Sequence, residues 1–348
     1  MKIYNELSKH KIEKSAIFLH YTGSMFGIGC SAFNKEAIAK INFLKNRKDK
    51  SGYIALIPDI DWLKRFDVQI TPEIHRILQQ YLPGELSVIL EVPDPRFQYI
   101  SQNGKVAFRI PTNKLLREFI KNLDQPIIST SVNISGGNPI QNLDEILARF
   151  KSWFDLAILP DDAKVDNNKP STIIEFSGDI INLIRDGSIP FSEIELSYQL
   201  PQILFVCTGN TCRSPIAGYL AKRIITKEDL KFRVASAGFV AEGMPISENS
   251  DRVLALNGID ASGHKSTLLN EENLRKSWLV LTMTLKHKNK ILQLYPASAS
   301  KVYTLSEYAG FNNDVADPIG KDIEYYKNTF EEINEKVKII FEKIKEER

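Results

Sequence analysis

The chain has 348 residues, 43% apolar and 25% charged, with 45 Lys and Arg against 43 Asp and Glu for a net charge of +2. That length suits two domains, and the balanced charge excludes a global attraction to nucleic acid or to a strongly acidic partner. Three cysteines, Cys30, Cys207 and Cys212, make neither a disulfide framework nor a zinc pattern, so no resident metal and a reducing, cytoplasmic setting are expected.

Met1-Lys-Ile-Tyr-Asn5 has no apolar signal core, and no apolar run is long enough to cross a bilayer, so no membrane attachment is expected. Ser15 to His20 reads as a strand that runs into a loop rich in small residues, Tyr21 to Gly29. Asn34 caps a helix with Ala37, Ile38, Ile41 and Leu44 on its apolar face. Strands follow at 53–57 and 86–92, with a helix opening at Thr71-Pro72 between them and a turn at Pro83-Gly84. Further strands are expected at 106–110, 127–131, 156–159, 171–176 and 181–184, with a helix at 142–150. The mixture predicts an α/β or α+β domain with a large twisted sheet.

Two local features suggest a nucleotide. Lys45 and Arg47 flank one residue near a helix end, and Ser131, Asn133 and Ser135 alternate, facing one way in extended structure. A solvated helix end and a polar loop account for them equally well. The order of features decides further. Thr22-Gly-Ser-Met-Phe-Gly-Ile-Gly-Cys30, Lys45-x-Arg47, Pro83-Gly84, Arg109-x-Pro111, Ser129 to Gly136, Pro170-Ser-Thr172 and Arg185-x-Gly187 follow in sequence. Over residues 10–190 this order resembles the YrdC/Sua5 family. The resemblance implies a mixed twisted sheet and an L-threonylcarbamoyladenylate synthase, joining L-threonine, bicarbonate and ATP (with Mg2+) for tRNA modification. It implies tRNA or tRNA-modification proteins as partners, Lys45, Arg47, Ser131 and Asn133 as nucleotide ligands, and Thr22, Arg109 and Ser171 in the rest of the pocket. Relatives usually have proline at Tyr21, an acid at Gly23, and Pro or Leu at Glu85. These departures leave a nucleotide- or RNA-binding module without catalysis as the alternative.

Arg185-Asp-Gly-Ser-Ile-Pro190 closes the first domain, expected at 1–190, and 191–200 reads as a linker between two prolines. In 201–348, Ile203 to Val206 reads as a buried strand. A tight loop, Cys207-Thr-Gly-Asn-Thr-Cys-Arg213, and a helix start follow, with Ser214 able to cap and Pro215 suited to the first turn. Strands at 232–237, 278–283 and 301–305, alternating with helices, predict a doubly wound parallel sheet with the phosphate loop after its first strand. Apolar residues from Tyr326 to Ile344 mark an amphipathic final helix.

A strand, loop and helix start form an anion cradle whose amides and helix dipole favour a thiolate at Cys207. Arg213 can grip two phosphate oxygens, Gly209 allows a tight turn, and Asn210 can brace the loop. Ser214 can hydrogen-bond Cys207. The run resembles the loop of the low-molecular-weight protein tyrosine phosphatases. Thr208, Gly209, Asn210, Thr211, Cys212 and Ser214 would then cradle phosphate, Cys207 would be the nucleophile, Arg213 the oxygen clamp, and Asp317 of Asp314-Val-Ala-Asp-Pro318 the general acid, with no cofactor. Within that family, Thr211 resembles the bacterial protein-arginine phosphatases, where tyrosine-directed relatives carry an aliphatic residue. A phosphorylated protein is the implied substrate, with phosphoarginine favoured and phosphotyrosine the alternative. Ile319 departs from the aromatic residue often found after Asp-Pro. The resemblance also allows a Cys207–Cys212 disulfide. His264 and His287 have no metal-ligand spacing and are expected at surface or packing positions.

Overall fold

The computed structural model describes residues 2–5, 13–47, 53–165, 169–178, 180–240 and 242–346. They form two compact units: Met1–Ile70 with Tyr81–Phe191, and Thr71–Gln80 with Ser192–Arg348. The helix opened by Pro72 thus belongs with the second unit. The stretch expected as a linker is a helix, Phe191–Gln199. Its Ile194 and Ser197 are buried, so this segment packs rather than forming a free tether.

The first unit is built on one mixed sheet. Its strands are β1 (Lys2–Tyr4), β2 (Phe18–Tyr21), β3 (Phe26–Ser31), β4 (Ile54–Leu56), β5 (Leu86–Glu91), β6 (Lys105–Arg109), β7 (Ile127–Ser131), β8 (Leu156–Ile158), β9 (Thr172–Ser177) and β10 (Ile180–Arg185). Their spatial order is β1-β8-β2-β3-β7-β4-β6-β5-β9-β10. Antiparallel pairing sets His20 opposite Gly27 and Gly27 opposite Ser131, so these three share one face of the sheet.

The expected loop over 21–29 is therefore short, and Phe26–Ser31 is a fully buried strand. Its glycines look like loop residues in sequence, but they are there for close packing. A Cβ on Gly27 would lie 2.6 Å from His20 Cε1, and one on Gly29 would lie 2.4 Å from Ile128 O. Sequence reading also passed over the helix Lys114–Leu123. Asn113 caps it, and Leu116, Phe119, Ile120 and Leu123 are buried.

The second unit is a four-stranded parallel sheet of β11 (Gln202–Cys207), β12 (Arg233–Gly238), β13 (Leu279–Thr282) and β14 (Val302–Thr304), ordered β12-β11-β13-β14. Alternation along β11 feeds two cores. Ile203, Phe205 and Cys207 pack with Ile216, Leu220, Phe330 and Val337, while Leu204 and Val206 pack with Val280 and Ile291. Helices cover both faces, as expected for a doubly wound sheet. Within this unit Lys301 Nζ donates to Gln80 O, Leu274 O and Ser277 O, each at 2.9 Å. Burial pulls its pKa down to about 7.

Candidate active sites

The chain leaves β11 at Cys207 and enters the helix Arg213–Lys227. Between them the loop must turn within five residues, and Asn210 takes a left-handed conformation at φ 53°, which asparagine tolerates better than most residues. The loop packs tightly against the end of β12. A Cβ on Gly238 would lie 2.7 Å from both Asn210 N and Thr208 O.

Asn210 holds the loop with every polar group it has. Its Oδ1 accepts from Thr267 N at 2.9 Å, its Nδ2 donates to Ser214 Oγ at 2.9 Å, and its carbonyl accepts from His264 Nε2 at 2.7 Å. Its backbone N–H donates to Cys207 Sγ at 3.2 Å. Ser214 Oγ stands 3.0 Å from the same sulfur. With Asn210 donating to Ser214, the serine hydroxyl proton is left for Cys207, or for Ala237 O at 3.4 Å.

Ser214 is therefore not the cap expected from sequence. The cap position is Cys212, with no side-chain cap bond, and Ser214 lies one residue inside the helix with its hydroxyl on the sulfur. A helix start without a side-chain cap keeps its first amides for an anion. The Cys212 thiol donates to Ser247 Oγ at 3.2 Å and lies 3.6 Å from Tyr326 Oη. Burial, and then the Cys212 contact, push the Tyr326 phenol up to about 12. All three cysteines are free thiols.

Arg213 is buried. Its Nη1 donates to Val315 O at 3.1 Å and its Nη2 to Asp317 Oδ2 at 2.6 Å. Its Nε is buried with no partner, a rare condition for a buried donor and one that a bound oxyanion would relieve. Asp314, the neighbouring carboxylate, instead accepts from Leu285 N at 2.7 Å. Thr208 Oγ1 lies 2.9 Å from His287 Nε2, and His287 Nδ1 lies 3.0 Å from Thr284 Oγ1. Burial and the charge of Arg213 hold His287 down to about 4. His264 and His287 thus brace the loop from two sides. Neither contact was legible in sequence, because each crosses more than fifty residues. The Thr211 hydroxyl would lie 3.5 Å from a Cβ on Gly209, and its carbonyl accepts from Ser247 N.

The first unit holds a cavity of about 260 Å³. Of the residues singled out in sequence, Thr22, Arg109, Ser131 and Ser171 line it. Lys45 and Asn133 join through Ser131. Lys45 Nζ donates to Ser131 O at 2.5 Å, to Asn133 O at 3.0 Å and to Asn133 Oδ1 at 2.7 Å. All three ammonium protons thus organise the 131–137 loop. Burial, and then Arg47, pull Lys45 down to about 8. Arg47 itself lies over the Tyr53 ring, 4.5 Å from its centroid.

Sequence reading gave no role to Arg185, which also lines the cavity and donates to Ser171 O at 2.7 Å and Ser171 Oγ at 3.0 Å. Arg109 donates to Gly84 O at 2.9 Å and pairs with Glu85. Burial lowers the pKa of both arginines. His20 is fully buried with both ring nitrogens unpaired, and burial with the Arg109 charge holds it down to about 3. A neutral imidazole thus backs the sheet beside Gly27.

Similarity to known proteins follows the same division. A family model described as low molecular weight phosphotyrosine protein phosphatase matches residues 202–348. The Sua5/YciO/YrdC model, described as telomere recombination, matches residues 10–187. A protein-arginine-phosphatase of Geobacillus stearothermophilus is 39% identical over 149 residues, covering 42% of this chain and 98% of its own length. A low-molecular-weight protein-tyrosine-phosphatase of Staphylococcus haemolyticus is 36% identical over 132 residues, covering 38% of this chain and 91% of its own. A protein of Methanocaldococcus jannaschii named for threonylcarbamoyl-AMP synthase is 29% identical over 189 residues, covering 54% of this chain and 88% of its own. Among the described residues, no helix is long and apolar enough to cross a membrane.

Proposed function

This chain belongs to the Sua5/YciO/YrdC family over residues 10–187 and to the low-molecular-weight protein phosphatase family over residues 202–348, and on that premise we propose that it is a cytoplasmic protein with two enzymatic activities. The second unit removes phosphate from phosphoarginine in proteins. The first makes threonylcarbamoyl-AMP from ATP, L-threonine and bicarbonate, for transfer to tRNA.

The observation that carries the phosphatase reading is Arg213. Its buried Nε lacks a partner, beside a helix start without a side-chain cap and a cysteine held by Ser214 and Asn210. Phosphate enters this cradle and takes the guanidinium from Asp317. Cys207 attacks phosphorus in line, so that an S–P bond forms as the P–N bond breaks. Asp317 gives its proton to the departing guanidino nitrogen. Loop amides and Arg213 hold the three equatorial oxygens. Water then attacks phosphocysteine while Asp317 takes its proton, and inorganic phosphate leaves with the thiolate restored. Thr211 at the loop and the similarity to a protein-arginine-phosphatase favour phosphoarginine over phosphotyrosine. Ile319 is 68% exposed beside the acid and supplies no aromatic wall for a tyrosine ring.

For the first unit, Arg109 and Arg185 supply a cationic cavity beside the Lys45–Ser131–Asn133 network, suited to charge released as pyrophosphate. Among the described residues that line this cavity there is no carboxylate. A magnesium ion would therefore be held chiefly by the ATP phosphates rather than by a protein cage.

The test compares matched phosphoarginine and phosphotyrosine peptides with wild type, Thr211→Ile and Cys207→Ser. Phosphoarginine preference in the wild type, a shift toward phosphotyrosine of about tenfold in Thr211→Ile, and loss of turnover in Cys207→Ser are expected. Wild-type preference for phosphotyrosine would remove the arginine assignment and leave the Cys207 chemistry. Pyrophosphate release that requires both ATP and L-threonine is the matching test for the first unit.

A further inference from the structure

The segment that delivers Asp317 has no strand or helix of its own. It runs between the short helix Leu305–Tyr308 and the final helix Ile323–Glu346. A side chain on such a segment keeps a productive geometry only where neighbouring groups fix the backbone that carries it. Close to the acid there are three ties. Asp314 Oδ1 accepts from Leu285 N at 2.7 Å, Val315 N donates to Met283 O at 3.0 Å, and Val315 O accepts from Arg213 Nη1 at 3.1 Å.

A fourth tie comes from the final helix. The Lys336 side chain is 2% exposed, and its neighbours Ile333, Val337 and Ile340 are buried with it. Its Nζ donates to Glu332 Oε1 at 2.5 Å and to Asn313 Oδ1 at 3.4 Å, and it lies over the Phe311 ring, 5.5 Å from the centroid. Asn313 closes the ring of bonds, since its Nδ2 donates to Glu332 Oε1 at 2.9 Å. A lysine is rarely so fully buried, and its charge is costly to desolvate. An apolar residue at 336 would fill the same core position without that cost and often without loss of stability. Packing alone therefore does not account for a lysine here. What the ammonium adds is a hold on Phe311 and Asn313, the residues that lead into Asp314 and Asp317.

We propose that Lys336 is a positioning residue for the general acid: with Glu332 and Asn313 it sets the segment 311–317 on the final helix, so that the Asp317 carboxyl meets the leaving group. The proposal rests on the phosphatase reading above and adds to it a group that touches neither phosphate nor Cys207. Its effect on the reaction passes through Asp317, so it belongs to steps that need a proton delivered and not to phosphate binding.

The test uses the purified full chain with a phosphoarginine peptide and with an aryl phosphate that has a good leaving group, in wild type, Lys336→Met and Asn313→Ala. Asn313 is exposed, so Asn313→Ala cuts the tie while leaving the core intact, and it decides the matter if Lys336→Met fails to fold. In both variants kcat for the peptide is expected to fall at least about tenfold, while KM and the burst of released phenol stay within about twofold. On an Asp317→Asn background, Asn313→Ala is expected to add less than about a twofold loss, because the two changes act through one group. Unchanged peptide turnover in Asn313→Ala overturns the proposal. So does an equal fall in peptide turnover and phenol burst, which would make the network a brace for the whole unit. A further large loss on the Asp317→Asn background overturns it as well. Each of these leaves the phosphatase reading standing, whereas a wild type that turns over neither substrate removes that reading and the proposal together.

Discussion

In the proposed reaction Asp317 serves two partners in one turnover, and the structure shows the first. Its carboxylate holds Arg213 Nη2 at 2.6 Å. That contact must open before the guanidinium can grip phosphate and before the acid can face a leaving group. The Arg213 side chain is 5% exposed but that of Asp317 is 46% exposed, so the pair is screened on one side and is worth at most about 1 kcal/mol. Opening it therefore costs no more than about a fivefold factor in phosphate affinity. Asp317→Asn separates the two duties. Binding of inorganic phosphate, read as competitive inhibition, should tighten by up to about fivefold because Arg213 is freed. Turnover of a phosphoarginine peptide should fall about 10²–10⁴-fold, the usual contribution of a positioned general acid. An aryl phosphate with a good leaving group should lose much less in the first chemical step, read as the burst of released phenol. If Asp317→Asn weakened phosphate inhibition, the ion pair would be organising Arg213 for phosphate rather than competing with it. Equal loss in the peptide reaction and the aryl phosphate burst would remove the acid role.

Three further outcomes can be checked by unfolding. Gly27→Ala should destabilise the first unit by about 1–3 kcal/mol, because the new methyl would lie 2.6 Å from His20 Cε1 and 3.1 Å from Thr130 O; an unchanged melting temperature would contradict the packing argument for β3. His287 is held at about 4 in the folded unit against about 6.5 when unfolded, so the unfolded chain binds the extra proton between those values. Stability of the second unit should therefore fall as pH drops from 6.5 to 4.5, by about 1 kcal/mol per pH unit on average, and His287→Gln should flatten that slope. His20, held at about 3, imposes the same sign on the first unit, and a melting temperature flat from pH 6.5 to 5 would refute both.

The two sites were legible in sequence to different degrees, for a physical reason. Cys207 to Ser214 is one consecutive segment from strand end to helix start, so composition and spacing alone carry the pattern. Asp317 announces itself through Asp-Pro, and the structure sets it on Arg213. What brings stability to that loop was not legible. His264 and His287 come from elsewhere in the chain and act through single hydrogen bonds, which leave no periodic trace. Likewise Ser214 reads as a cap by residue type, yet the neighbouring sulfur and amide claim its hydroxyl.

The first cavity has the opposite character. Its walls come from the β2–β3 turn, β3, β4, β6, β7, the loop after β7, the segment before β9, and β10, and most of these residues meet through sheet register. Gly27 and Gly29 look like loop glycines until pairing puts His20 and Ile128 against them. Gly23 and Glu85, 62 positions apart, read as two unrelated departures from the family pattern. Arg109 connects them, since one nitrogen reaches both Ser24 and Glu85. Departures at 23 and 85 are thus neighbours of one guanidinium, a link that only the folded chain makes.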